Sequence, residues 1–91
     1  MARLRRNYIE GSIIFDNCTD TIAIAKEFTS ASLKTYIWYQ PRSKTFCAKE
    51  SALMPHDIRK ADKNEELLLF KAIAKNGYAW DDENYCLIKL D

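Results

Sequence analysis

Apolar and polar residues alternate along the first half of the chain with the two-residue period of β-strands, and a helical period takes over after residue 60. Glu10-Gly11-Ser12-Ile13-Ile14-Phe15-Asp16 is β-branched and aromatic and predicts a strand. Asp16 to Asp20 is turn-rich, and Thr21 to Lys26 then alternates with Ile22 and Ile24 on one face. A hairpin over about 10–27 follows. A helix from Asp20 competes, since Ala, Lys and Glu are good helix formers, but the alternation favours the strand. Lys34-Thr35-Tyr36-Ile37-Trp38-Tyr39 is a strong strand signal, Gln40 to Ser43 a turn with Pro41 at its first central position, and Lys44 to Ala48 the return strand of a second hairpin.

The helix has both ends written. Asp62 caps it, Glu65 completes an acidic capping box, and Glu65 and Glu66 complement the dipole at its start. Lys71 and Lys75 lie toward its end, and Asn76-Gly77 supplies a left-handed cap. Two stripes fall at helical spacing, Leu69, Ile73 and Asn76 or Leu67, Phe70 and Ala74, and a leucine-rich stripe is expected to be core. Tyr78 to Trp80, the acidic loop Asp81 to Asn84 and Tyr85 to Leu90 read as a closing hairpin. The order predicts an α+β domain, a small curved antiparallel sheet or SH3-like barrel of about six strands with one helix at about 63–75. The expected core is Ile13, Phe15, Ile22, Ile24, Ile37, Phe46, Leu69, Phe70, Ile73, Trp80, Leu87 and Ile88.

The block Asp57 to Asp62, Glu65 to Phe70, Asn76 to Asp81 and Leu87 to Leu90 resembles the C-terminal tail of small uncharacterised proteins from gut bacteria and their phages and mobile elements. In those proteins an Ile/Phe-Arg-x-Ala-Thr/Asp step leads into a Glu-rich helix that ends in Gly-Tyr-x-Trp-Asp and a final strand. Glu10 to Ile14 also looks like their usual opening. The likeness is clearest over 57–91 and departs at Asp62, where threonine is common and caps equally well. It implies an accessory role in a phage or mobile element and carries no functional residue over.

Length permits one domain, 1–91, with residues 1–7 read as a flexible basic arm. Apolar residues at 47% against 30% charged indicate a globular chain. A net charge of +1 gives no overall signal for nucleic acid or membrane, but it hides a split of +4 over 1–49 and −3 over 50–91. No apolar run approaches the roughly 20 residues of a membrane span, so no membrane partner and the cytosol of a bacterial host are expected.

Candidate chemistry is sparse. Cys18, Cys47, Cys86 and His56 have the stoichiometry of a zinc site, but the cysteines lie 29 and 39 residues apart with no close pair, so packed, reduced, partly buried thiols are expected instead. Cys47 and His56 could form a nucleophile and base, but Cys47 lies in a predicted strand with no glycine-flanked elbow. Asp81, Asp82 and Glu83 lack the spacing of a calcium loop and read as a solvated hairpin turn. The sequence therefore assigns no catalytic residue, cofactor or metal.

The expected function is a non-catalytic small binding module that docks a host or phage protein through its sheet face or hairpin tips, with Tyr36, Trp38 and Tyr78 as contact residues. The alternative is nucleic-acid binding through Arg3, Arg5 and Arg6 of the arm and Lys34, Arg42 and Lys44 of the 33–48 hairpin, where cations lie close to aromatic residues.

Overall fold

Strands β1 (Ile13–Asp16), β2 (Thr21–Phe28), β3 (Leu33–Gln40) and β4 (Thr45–Cys47) form where the alternation places them, as two consecutive antiparallel hairpins. The computed structural model describes residues 10–29, 32–54 and 57–90. The basic-arm residues Arg3, Arg5 and Arg6, and also His56, lie outside the described residues. The β1–β2 turn is held by Asp16, whose Oδ1 accepts from the Cys18 amide at 2.9 Å, and Asp20 takes a left-handed φ of 53°. In the β3–β4 turn Lys44 N–H donates to Pro41 O at 3.3 Å, so Pro41 opens the turn rather than filling its first central position.

Two further strands join this sheet that the alternation did not announce. β5 (Ser51–Leu53) pairs with Leu33 to Thr35 of β3, and β6 (Ile58–Lys60) pairs with β1. Three-residue strands hold too few side chains for a period to show. The order is β4-β3-β2-β1-β6, with β5 on β3 beyond the short β4. The sheet is open. β7 (Tyr78–Asp81) and β8 (Cys86–Lys89) form a separate two-stranded sheet, so the described residues hold eight strands rather than about six.

Helix α1 (Lys63–Lys75) packs against β2, β3 and β7. Its capping box is complete: Glu65 N–H donates to Asp62 Oδ1 at 2.8 Å, and Asp62 N–H to Glu65 Oε1 at 2.8 Å. Gly77 ends it with φ 87°.

Each face of the sheet carries a buried apolar cluster. On the helix side Ile22, Ile24 and Ile37 pack with Leu69 and Ile73, flanked by Ile13, Phe15, Phe46, Trp80 and Leu87. On the other side Ile14, Ala23, Ala25, Leu33 and Ile58 form a second cluster that the expected core lacked. Thr21 to Ala25 are consequently all buried, which a strand between two apolar layers requires.

The expected core also needs correcting at Phe70 and Ile88, which are exposed. Helix α1 buries the stripe of Leu69 and Ile73, so Leu67, Phe70 and Ala74 turn outward. In the closing hairpin Trp80 pairs with Leu87 facing the core, and alternation then sends Ile88 to the outer side.

Candidate functional site

A groove of about 310 Å³ runs beside the first turns of α1. Phe15 and Ile22 are cross-strand partners on the helix side of β1 and β2. Leu68 of α1 and Pro41 of the β3–β4 turn complete the apolar lining, and Leu68 remains 43% exposed. Charged pairs border it. Arg42 reaches Asp20 at 2.7 Å across the two hairpin turns. Arg59 makes a two-pronged pair with Glu65, at 2.8 and 2.6 Å, and its guanidinium stands 4.6 Å from the Phe15 ring centre. Glu65, already held by the helix cap, is therefore fixed from two sides. An apolar floor with a charge-paired rim suits an inserted apolar side chain whose surroundings are polar.

The residues expected to contact a partner do not share a face. Regular alternation would place Tyr36 with Trp38. The β2–β3 register instead shifts twice, between Ile24 and Ala25 and between Ala25 and Glu27, which leaves Tyr36 of β3 and Lys26 of β2 as extra residues on either side of the Ala25–Thr35 pair. Tyr36 consequently joins Ile37 on the helix side, while Trp38 packs against the second cluster. Tyr78 packs on the helix side as well, and all three are half-buried.

Tyr36 is the centre of an aromatic cluster. It stacks on Tyr85 at 5.9 Å and tilts against Trp80 at 5.5 Å. Its hydroxyl donates to the Glu10 carboxylate, and the Lys26 ammonium lies 5.6 Å from the ring centre while pairing with Glu50 at 2.7 Å. The bond to Glu10, aided by burial and negative charge, pushes the Tyr36 phenol up to about 12. A folded value above the unfolded value near 10 means that this group's stabilisation is complete below pH 10 and lost as pH rises through 12. Ultraviolet titration should accordingly show one tyrosine ionising about two units late, a step absent from Tyr36→Phe. A Tyr36→Phe protein that retains the late step would assign it to another residue.

The basic candidates separate along the sheet. Lys34 lies near the start of β3, 4.0 Å from Glu27, and six residues of strand, about 20 Å, separate it from the end at Gln40. Arg42 is engaged with Asp20. Lys44 instead meets Lys75, with Tyr39, Ala72 and Asn76, around a cleft of about 220 Å³. Lys75 was legible only as a helix-end charge, because this meeting depends on how α1 docks.

Cys18 and Cys86 are exposed and Cys47 half-buried, so the expectation of three partly buried thiols holds only for Cys47. No cluster among the described residues could hold a metal ion. In the acidic loop, Asp81 accepts from the Asn84 side chain at 2.8 Å and from the amides of Glu83 and Asn84, bonds that lower its carboxyl below the ordinary value. Among the described residues no helix is long and apolar enough to cross a membrane. A scan of family models, a search of curated proteins and a search of solved structures each found no match for this chain.

Proposed function

We propose that this chain is a non-catalytic protein-docking module that receives an apolar side chain of its partner in the groove beside α1. The observation that carries this reading is the groove itself, which joins Phe15, Ile22, Pro41 and the exposed Leu68 under the Arg42–Asp20 and Arg59–Glu65 pairs. Its volume of about 310 Å³ stands at the bottom of the range of roughly 300–1,000 Å³ typical of small-molecule sites, which favours a side chain over a whole ligand. The setting implied by the resemblance of residues 57–91 is a bacterial cytosol that carries a phage or mobile element, with a host or phage protein as partner.

Affinity capture from such a host tests the reading. The wild type should retain a partner that Leu68→Asp loses at least tenfold, with unchanged circular dichroism, while Lys34→Glu keeps it. A partner held equally by Leu68→Asp would move docking away from the groove.

Nucleic-acid binding is the second reading, and the shared cleft of Tyr39, Lys44 and Lys75 favours it, since one ring and two ammonium groups can serve a base and its phosphates. In that case a labelled single-stranded oligonucleotide would bind at low salt and be released by Lys44→Glu, Lys75→Glu, with capture of the protein partner unaffected by the groove change.

A further inference from the structure

The outward face of α1 is not explained by the groove. Lys63, Leu67, Phe70 and Ala74 recur at intervals of four, three and four, the spacing of a coiled-coil seam. All four are exposed, with Leu67 at 55% and Phe70 at 38%, on the side of the helix away from buried Leu69, Ala72 and Ile73. Glu66 and Lys71 flank this stripe, one on each side, and neither has an ion-pair partner among the described residues. An apolar stripe bordered by one acid and one base is unlike the ordinary solvated face of a surface helix.

We propose that this face binds a second copy of the chain, with the two α1 helices side by side and parallel about a two-fold axis. Charge complementarity selects both the partner and the direction. In a parallel pair the flanking residue before one seam position faces the residue five places later in the other helix, so Glu66 meets Lys71 of the second copy, and the two-fold repeats the bond. In an antiparallel pair each flank would face its own kind, and the acid and base would not meet. Leu67 packs on its counterpart and Phe70 on its own, while Ala74 lets one pair of helix ends approach closely. The two Lys63 side chains repel each other across the other end, where both are exposed in the first turn and splay into solvent, so the two Glu66–Lys71 pairs outweigh this single like-charge contact. The groove residue Leu68 lies off this seam, so the proposal does not depend on the docking reading. Thirteen residues of helix give a seam only about 20 Å long. That is small beside the roughly 1,200 Å² of total buried surface found in stable complexes, so a dissociation constant on the order of 100 μM is expected.

Sedimentation velocity on the full chain, from about 10 μM to about 1 mM in low salt, should pass from monomer to dimer. Glu66→Lys and Lys71→Glu should each weaken the dimer at least threefold. An equal mixture of these two variants should associate more tightly than either alone, because both cross-helix pairs are then restored. Phe70→Asp should leave a monomer with unchanged circular dichroism. A wild type that stays monomeric throughout overturns the proposal, as does a dimer indifferent to both charge changes. A mixture no tighter than its components overturns the parallel arrangement.

Discussion

Leu69→Ala should destabilise the domain by about 2–5 kcal/mol, whereas Leu67→Ala should change stability by no more than about 0.5 kcal/mol. Leu69 is fully buried among Ile22, Ile24, Ile37 and Ile73, and a truncated side chain there leaves a cavity between helix and sheet. Leu67 is 55% exposed, and its loss removes little buried surface from the isolated chain. For a domain of this size each kcal/mol shifts the midpoint by roughly 4–8 °C, so the Leu69 variant should melt at least about 8 °C lower. Urea unfolding at micromolar concentration, where self-association is negligible, gives both values. Equal losses at the two positions would mean that α1 does not dock through the Leu69 stripe.

Gly11→Ala should cost about 2–3 kcal/mol, and Gly77→Ala only about 1 kcal/mol. The two glycines form a natural control, since their φ angles are 89° and 87° and both require the left-handed region. They differ in what a methyl group would meet. At Gly77 nothing lies within 4 Å, so conformational strain is the whole cost. At Gly11 the new carbon would stand 2.6 Å from Tyr85 Cε1. The Tyr85 ring has limited freedom to retreat, because it stacks on Tyr36, which bonds Glu10 next to the glycine. Gly11 is also anchored through its amide, which donates to Ala25 O at 2.8 Å. In a Tyr85→Ala background the cost of Gly11→Ala should fall to that of Gly77→Ala. An unchanged cost there would show that the ring is not the obstacle.

The hairpins and the helix were legible because their signals are local. Alternation from Ile13 to Phe46, turn residues after Asp16 and Gln40, and the Asp62–Glu65 cap each act within a few residues of their own position. The second apolar layer was harder to read. Ala23 and Ala25 are small, and Ile14 beside Ile13 looks like a redundant neighbour until both faces of the strand are seen to be covered. Tyr36 and Trp38 parted because paired bulges shift the β2–β3 register. Of the ion pairs Lys26–Glu50, Lys34–Glu27, Arg42–Asp20 and Arg59–Glu65, only the first joins the basic half of the chain to the acidic half. Among the described residues the charge split therefore does not translate into a set of ion pairs between the halves.

By itself the sequence determined an α+β chain, its two leading hairpins, a capped helix between Lys63 and Lys75 and a closing hairpin, because propensity, capping and turn chemistry are set by neighbours in the chain. Only the tertiary structure decided which of two equally spaced stripes α1 buries, that the sheet stays open, and that Phe15, Ile22, Pro41 and Leu68 meet in one groove. Those outcomes depend on packing between segments distant in the chain, where the area buried between helix and sheet, and not any local preference, selects the arrangement.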